Sequence, residues 1–296
     1  MKPILILSLA GMFCACSIKE RTDIEINPKP TLVVNYQYIN KDGINTFSEE
    51  VDYLTTFLFD HTDLFIRSES FNRVSLPDTF GYTLLSGVPD GYYTVVSFAN
   101  AEKTEFEELT PGKSHLSDLK AYLLDSTRSS DKLFHSLNRY HVTRGKPVVH
   151  AIGLDKLFYQ IDLSVKGGDK LCVRPEDFAV LFTGIPSGVN YEGESLPEQI
   201  YYKPYLQKTS DNRLIALFST QRFEKDTPVH MLIRAGNETI ADIPLSEYLE
   251  QNNAGIDFHN DKDVVIPIDI DVTSSGVTVI VNEWDAGAIQ IPVVGD

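Results

Sequence analysis

The chain has three cysteines, and the chemistry of each depends on its position in the sequence. Cys14 and Cys16 lie in the first sixteen residues, and the third is Cys172. Small Ala15 precedes Cys16, whereas bulky Phe13 precedes Cys14, and a signal peptidase needs a small residue before the cut. The sequence therefore predicts that Cys16 becomes the lipidated first residue of the mature protein. Cys172 is predicted to be a small buried hydrophobe.

The residues around Cys16 agree with a lipoprotein signal. Lys2 supplies a positive start, and the apolar run at 4–13 is too short to cross a bilayer as a mature helix. We predict a signal peptide at 1–15 and a polar tether at 16–30. Two or more acyl chains would then hold the protein on a membrane that it does not span. The alternative is an ordinary secreted protein whose two signal cysteines are inert.

No other pattern in the sequence predicts catalysis or ligand binding. The glycine-rich, serine-centred, HExxH and CxxC motifs of common enzymes and metal sites are absent from the mature chain. Aspartates between 257 and 271 lack the spacing of a calcium loop, so they are predicted to form a solvated strand face. We predict no catalytic, cofactor-binding or metal-binding residues. The seven histidines are scattered without zinc-ligand spacing and are predicted to be surface or hydrogen-bonded residues: His61, His115, His135, His141, His150, His230 and His259.

Composition and charge further restrict the possible functions and the fold class. The chain has 26 lysines and arginines against 42 acidic residues, a formal net charge of −16, which repels nucleic-acid phosphate. Nucleic-acid binding is therefore not expected. With 42% hydrophobic residues the chain can bury a real core, and its 14 tyrosines and 16 phenylalanines favour strands over helices.

Alternation of apolar and polar residues predicts strands along most of the chain. The clearest runs are 157–165 and 264–272. In the first run Leu157 and Tyr159 are predicted to face the core, and Phe158 is predicted to face outward. Further strands are predicted at 32–38, 53–60, 92–99, 178–182 and 229–234, and short helices at 114–126 and 245–252.

Many short strands separated by turn signals, with few helices, predict an all-β protein built of antiparallel β-sandwiches. Gly236 and Asn237 predict a tight hairpin turn. The polar stretch 138–146 is predicted to be a loop between two sandwiches, which places the boundary near residue 145. The predicted domains are 31–145 and 146–296.

Several segments together resemble the FimB/Mfa2 family of fimbrial lipoproteins from Bacteroidales. They are FLFD at 57–60, GYYTVVSFAN at 91–100, IGLDK at 152–156 and VTVIVNEW at 277–284. The resemblance implies two tandem transthyretin-like sandwiches, with the 91–100 strand buried on both faces. It also implies a non-enzymatic anchor subunit, held on the outer membrane by its lipid, that pairs by strand addition with a fimbrial stalk subunit.

Two other functions stay open, a surface glycan-binding lipoprotein and a stalk or tip subunit of a fimbria. Glycan binding needs exposed aromatic platforms, and Trp284 is the single tryptophan. The extension at 285–296 would serve either as a donor strand for a neighbouring subunit or as the closing edge strand of the second sandwich. Pro292 favours the edge strand, because proline donates no backbone hydrogen bond.

We expect Cys16→Ser to abolish acylation and release the protein from membranes, because no other cysteine follows a small residue at the cleavage point. Cys14→Ser is the matched control and should be acylated normally. Incorporation of labelled palmitate and phase partition in detergent measure both variants. Acylation of the Cys16→Ser protein, with retention in the membrane fraction, would show that the anchor lies elsewhere.

Overall fold

The computed structural model describes residues 31–73, 82–86, 88–123, 128–143, 148–167, 178–251, 265–273, 276–281 and 289–292. The predicted signal peptide and tether, with Cys16, lie outside these residues, as do Cys172 and Trp284. The described chain is almost entirely β-structure, with short helices α1 (Phe47–Glu50) and α2 (Leu245–Gln251). The predicted all-β class is confirmed.

The first half of the chain forms a sandwich of two sheets. Its strands are β1 (Thr31–Gln37), β2 (Tyr53–Phe59), β3 (Phe65–Asn72), β4 (Tyr82–Ser86), β5 (Gly91–Ala99), β6 (Thr104–Phe106), β7 (Lys120–Leu123), β8 (Phe134–Val142), β9 (Val148–Gly153) and β10 (Asp155–Lys156). A three-stranded sheet in the order β4-β1-β9 packs on a five-stranded sheet in the order β10-β8-β5-β2-β3. The first core lies between these two sheets.

Alternate residues of β1 and β2 fill this first core. Val34, Tyr36 and Leu54 are each at most 2% exposed and belong to one cluster. The Tyr36 hydroxyl is hydrogen-bonded inside the core, 3.0 Å from Thr56 Oγ1 and 2.8 Å from Ser97 Oγ. These bonds satisfy polar atoms that would otherwise destabilise the core.

Strand β5 is buried on both faces over residues 93–99, as the family resemblance implies. Val95 belongs to the core between the sheets, and Val96 belongs to a second cluster behind the five-stranded sheet. Tyr92 departs from this pattern because 64% of its surface is exposed, and its ring makes a tilted contact with that of His141.

The second half forms a larger sandwich. Its strands are β11 (Phe158–Lys166), β12 (Phe178–Pro186), β13 (Gly188–Asn190), β14 (Gln199–Tyr202), β15 (Gln207–Lys208), β16 (Leu214–Gln221), β17 (His230–Ala235), β18 (Glu238–Pro244), β19 (Val265–Thr273), β20 (Gly276–Val281) and β21 (Ile289–Pro292). A six-stranded sheet in the order β15-β16-β11-β19-β20-β21 packs on a four-stranded sheet in the order β14-β12-β17-β18.

The strand patterns of the second half are confirmed from Tyr159 onward. Ile161 and Leu163 of β11, with Ile266 and Ile268 of β19, are each at most 1% exposed in the core between the sheets. Gly236 has a φ of 61° in the turn between β17 and β18, the backbone conformation that the predicted hairpin requires.

Two strand pairs are parallel, in contrast to the antiparallel sheets that were predicted. β1 pairs with β9, and β11 pairs with β19, whereas the other strand pairs among the described residues are antiparallel. Parallel partners need a long crossover connection, and here most of each sandwich lies between the two partners in the chain. Alternation in a sequence marks the buried face of a strand but not the direction of its neighbour.

The helix predicted at 114–126 is wrong. Leu116–Asp118 forms a single 3₁₀ turn, and β7 follows it with Ala121 and Leu123 buried. The apolar spacing was compatible with a helix, but pairing of β7 with β6 and β13 supplies its backbone hydrogen bonds instead. The helix predicted at 245–252 is confirmed as α2.

The interdomain loop predicted at 138–146 is also wrong where the structure describes it. Strand β8 continues to Val142, with Tyr140 and Val142 buried and Arg139 and His141 exposed. The polar residues belong to the outward face of a strand. An outward face and a loop are equally polar, so composition alone did not separate them.

The first sandwich extends further along the chain than residue 145. β9 pairs with β1, and β10 pairs with β8, so both complete sheets of the first half. Phe158, predicted to face outward, is 1% exposed in the first core, with its ring centroid 5.6 Å from that of Phe134. Tyr159 belongs to the second core. We therefore propose a domain boundary between Phe158 and Tyr159.

Strand β21 lies at the edge of the six-stranded sheet of its own sandwich. It pairs antiparallel with β20, with Ile291 opposite Val277 and Pro292 opposite Gly276. This pairing agrees with the expected closing edge strand. Because β21 has no strand on its other side, the missing N–H of Pro292 cannot interrupt pairing with a second strand among the described residues.

We expect Phe158→Ala to lower the free energy of unfolding by about 3–5 kcal/mol, since it leaves a cavity in the first core. Val265→Ala is the control, because Val265 lies on a nearby strand but is 46% exposed. Urea denaturation followed by circular dichroism measures both. A Phe158→Ala protein as stable as the control would contradict the burial of this ring.

Candidate functional site

The described residues contain no group of three or more potential metal ligands. The structure places His230 and His135 in hydrogen bonds and His141 on the surface. His230 is half-buried, and its Nδ1 lies 2.7 Å from Asp242 Oδ1. His135 is buried and hydrogen-bonded to a backbone carbonyl, whereas His259 lies outside the described residues.

Sheet edges are the features of this fold that are chemically suited to assembly, because an edge strand carries backbone groups that no neighbouring strand satisfies. In the described part of the chain, the edges of the four sandwich sheets are β4 and β9, β3 and β10, β14 and β18, and β15 and β21. With eight residues, β3 is the longest of these described edges.

The register of β3 shows which of its backbone groups point away from the sheet. Phe57 of β2 lies opposite Ser68, and Thr55 lies opposite Ser70. The Asn100 N–H donates to Tyr53 O, so odd-numbered residues of β2 bond towards β5. By the alternation of an antiparallel ladder, Ser68 and Ser70 direct their N–H and C=O groups outward.

The beginning of β3 is already covered by the chain. The Phe65 N–H donates to Ser114 O at 2.8 Å, and the Gly112 N–H donates to Phe65 O at 2.8 Å. The loop at 112–114 therefore protects one end of the edge. Beyond it, no strand among the described residues pairs with the outer side of β3.

A groove of about 590 Å³ lies beside β3, between the strand and the segment at 101–111. Phe57, Phe65 and Phe106 line it, and the rings of Phe57 and Phe106 are 5.0 Å apart in an edge-to-face contact. Ser68 and Ser70 line the same groove. The edge strand and the apolar surface thus form one continuous site, which sequence patterns did not predict.

A second feature is the contact region between the two sandwiches, which we call the joint. The hairpin that carries β13 leaves the second sandwich and pairs with β7 of the first half, placing Gly188 opposite Tyr122. A Cβ at Gly188 would collide with the Ala121 carbonyl oxygen, so glycine is required for this approach. Across the same joint, the Ser130 N–H donates to Ser219 O at 2.8 Å.

His135 of β8 holds the tip of this hairpin. Its Nε2 lies 2.9 Å from Tyr191 O, and because a carbonyl can only accept, the ring donates. The ring packs 5.1 Å from that of Phe98 and against Gly193, where a Cβ would lie 2.9 Å from Nδ1. Burial lowers the pKa of His135, although its bond to Tyr191 and the charge of Asp155 act in the opposite direction.

A family model described as Fimbrillin-A associated anchor proteins Mfa1 and Mfa2 matches residues 27–286. That range covers most of the chain. The chain belongs to this family. The family resemblance drawn from the sequence is thereby confirmed, and strand β21 lies just beyond the matched residues. The chain matches no curated protein.

Solved structures share the fold of this family member. The fimbrial anchor protein Mfa2 from Porphyromonas gingivalis is 14% identical, with a TM-score of 0.68 over 89% of this chain and 99% of that one. A candidate polysaccharide-binding protein from Bacteroides thetaiotaomicron is 18% identical, with a TM-score of 0.73 over 89% and 98%. A candidate adhesin from Bacteroides ovatus is 14% identical, with a TM-score of 0.73 over 90% and 98%. At these identities the similarity shows the fold alone.

We expect the joint to weaken as the pH falls. The pKa of His135 is lowered in the folded protein, so its contribution to stability is present above its unfolded value of about 6.5 and is lost below it. His135→Gln can still donate to Tyr191 but does not titrate, so its melting temperature should fall less between pH 7.5 and pH 5.

The control for this prediction is His141→Gln, which changes an exposed histidine on the same strand. It should show the same acid sensitivity as the wild-type protein. Calorimetry on all three proteins at both pH values provides the comparison. Equal losses of melting temperature in the wild-type and His135→Gln proteins would contradict the role of His135.

Proposed function

We propose that the protein is the anchor subunit of a fimbria, attached to the outer membrane through lipid on Cys16 and joined to a stalk subunit by strand pairing. Membership of the Mfa2 family over residues 27–286 is the observation that carries this proposal. One protein of the same fold is itself the fimbrial anchor protein Mfa2. An anchor needs no catalytic machinery, so we also propose that the protein is not an enzyme.

The two-sandwich architecture suits an anchor physically. A filament pulls on its anchor, so the anchor must pass load from the bound subunit to the membrane attachment. The hairpin with β13 pairs with β7, and Leu123 of β7 packs in the core of the second sandwich. Backbone pairing and shared packing therefore oppose separation of the two sandwiches under load.

Attachment by lipid is the proposed link to the membrane. Among the described residues, no helix has the length and apolar character that a membrane crossing requires. Cys16 follows a small residue at the end of a signal-like run, and the tether at 16–30 precedes β1. Lipid on Cys16 would leave both sandwiches free to meet a partner subunit.

The glycan-binding alternative has weaker support. Sugar stacking needs open aromatic faces, but the exposed ring of Tyr92 already makes a tilted contact with that of His141, with centroids 4.5 Å apart. The Arg128 guanidinium lies 5.6 Å from the centroid of the exposed Tyr205 ring. A stalk or tip subunit of a fimbria is the closer alternative, and deletion of the gene distinguishes it.

Deleting the gene should release complete filaments into the medium, because an anchor retains filaments but does not build them. Restoring the wild-type gene should return filaments to the cell, whereas the Cys16→Ser gene should not. Ser17→Ala is the matched control and should behave as wild type. Immunoblots of stalk protein in cell and medium fractions measure the distribution.

Other outcomes of the deletion assign different roles. Loss of filaments from both fractions would assign a stalk or initiating role. Filaments that stay on the cell in normal amounts would contradict a fimbrial role altogether and favour the glycan-binding alternative.

A further inference from the structure

We propose that the β3 edge and its groove bind an extended segment of a partner subunit whose groove-facing residues, at every second position, are apolar or are lysine or arginine. The inference rests on the proposed fimbrial function, because it names the surface and the partner chemistry for strand pairing. We call Ser68, Ser70 and the groove lined by Phe57, Phe65 and Phe106 the β3 site.

Backbone geometry determines how a partner segment would be held. The outward N–H and C=O groups of Ser68 and Ser70 are available to a strand laid along β3. The loop at 112–114 closes the end at Phe65, so the partner would begin beyond that residue. Strand addition of this kind supplies affinity through main-chain hydrogen bonds.

The groove determines which side chains the segment would carry. In a strand, alternate side chains point to the same face, so every second residue of the partner would lie over the groove. The rings of Phe57, Phe65 and Phe106 offer those residues an apolar surface. Thr55 and Ser70 stand at the polar side of the groove, with their hydroxyl oxygens 3.0 Å apart. Apolar residues at alternate positions of the partner match this surface.

Charge determines the remaining groove-facing residues of the partner. Glu102, Glu105, Glu107 and Glu108 are exposed on the segment that borders the groove, and Lys103 is the single basic residue of that segment. Within the described residues none of these glutamates forms an ion pair, although Tyr122 OH donates to Glu107 Oε2 at 3.3 Å. Because Glu107 lines the groove itself, a lysine or arginine at a groove-facing position of the partner would meet this acidic border, which favours binding and speeds association.

The charges on β3 itself do not oppose this partner. The Arg67 Nε lies 2.7 Å from Glu69 Oε1, so the strand carries a balanced pair. Three of the other edges are too short to hold a long segment. β10 and β15 each have two residues, and β21 has four including Pro292. Among the described edges, β3 combines the greatest length with an adjoining aromatic groove.

A synthetic peptide tests the site directly. The probe is a fluorescein-labelled heptapeptide, Lys-Thr-Val-Thr-Phe-Thr-Lys, in which both lysines share a face with the apolar residues, with a matched peptide in which every lysine is replaced by glutamate. Fluorescence anisotropy with the detergent-solubilised full-length protein in 0.15 M NaCl gives the affinities. We expect saturable binding of the lysine peptide and at least tenfold weaker binding of the glutamate peptide.

Two kinds of variant locate the binding. Ser70→Pro removes an outward N–H without touching the ladder between β2 and β3, and should weaken binding at least tenfold. The double variant Glu107→Lys with Glu108→Lys should do the same. Its control, Glu198→Lys with Glu224→Lys, makes the same charge change on exposed residues of the second sandwich and should stay within twofold of wild type.

The proposal is overturned if both tests at the site leave the affinity unchanged, or if the control variant weakens binding as much as the Glu107 and Glu108 variant. If Ser70→Pro lowers the melting temperature, the charge-reversal pair decides. Absence of peptide binding, together with filaments released by gene deletion, would reject the β3 site but leave the anchor function. Retained filaments after deletion would reject the anchor function whatever the peptide does.

Discussion

The passage of the chain through Leu157, Phe158 and Tyr159 is the constraint on which the rest of the structure depends. These consecutive residues are buried in three different clusters, behind the five-stranded sheet, within the first sandwich and within the second. No rotation of one sandwich against the other can occur at this point without exposing one of the three side chains. The hairpin of β13 then adds backbone pairing at a second point. Two separate connections between the sandwiches restrict their relative rotation more strongly than one.

The sequence correctly predicts features that depend on one strand alone, and it fails for features that depend on which strands pair with each other. Alternation identified β11 and β19 and their buried rows, because a half-buried strand imposes a period of two on its own residues. It placed Phe158 outward, since the rule assumes one core per strand, whereas β11 begins in one sandwich and continues in another. Parallel pairing of β1 with β9 was also beyond reach, because it depends on residues more than a hundred positions apart. Local apolar spacing at 116–123 fitted a helix until its strand neighbours were known.

The candidate site likewise combines residues that the sequence identifies with contacts that it does not identify. Its aromatic residues are visible in the sequence as strand residues, and Phe57 belongs to one of the segments that resemble the family. These residues contact Phe106 beside β3 because the 101–111 segment returns over the outer face of the sheet. No local sequence pattern predicts this return. His135 carried no signal either, because its role requires the backbone of Tyr191 from the other sandwich. Sites built by long-range contacts therefore have to be read from the fold.

An unpaired edge strand can also cause aggregation, and the charges around β3 affect that risk. Unpaired strands tend to pair with copies of themselves, which leads to aggregation. A second copy of this chain would bring the same exposed glutamates, Glu105, Glu107 and Glu108, and the same net charge of −16 to the contact. Like charges placed opposite each other oppose such pairing, whereas a basic segment gains from the same carboxylates. The acidic border therefore discriminates between partners by repulsion as well as attraction. In this way an edge can stay unpaired on an isolated subunit and still accept a strand from the correct neighbour.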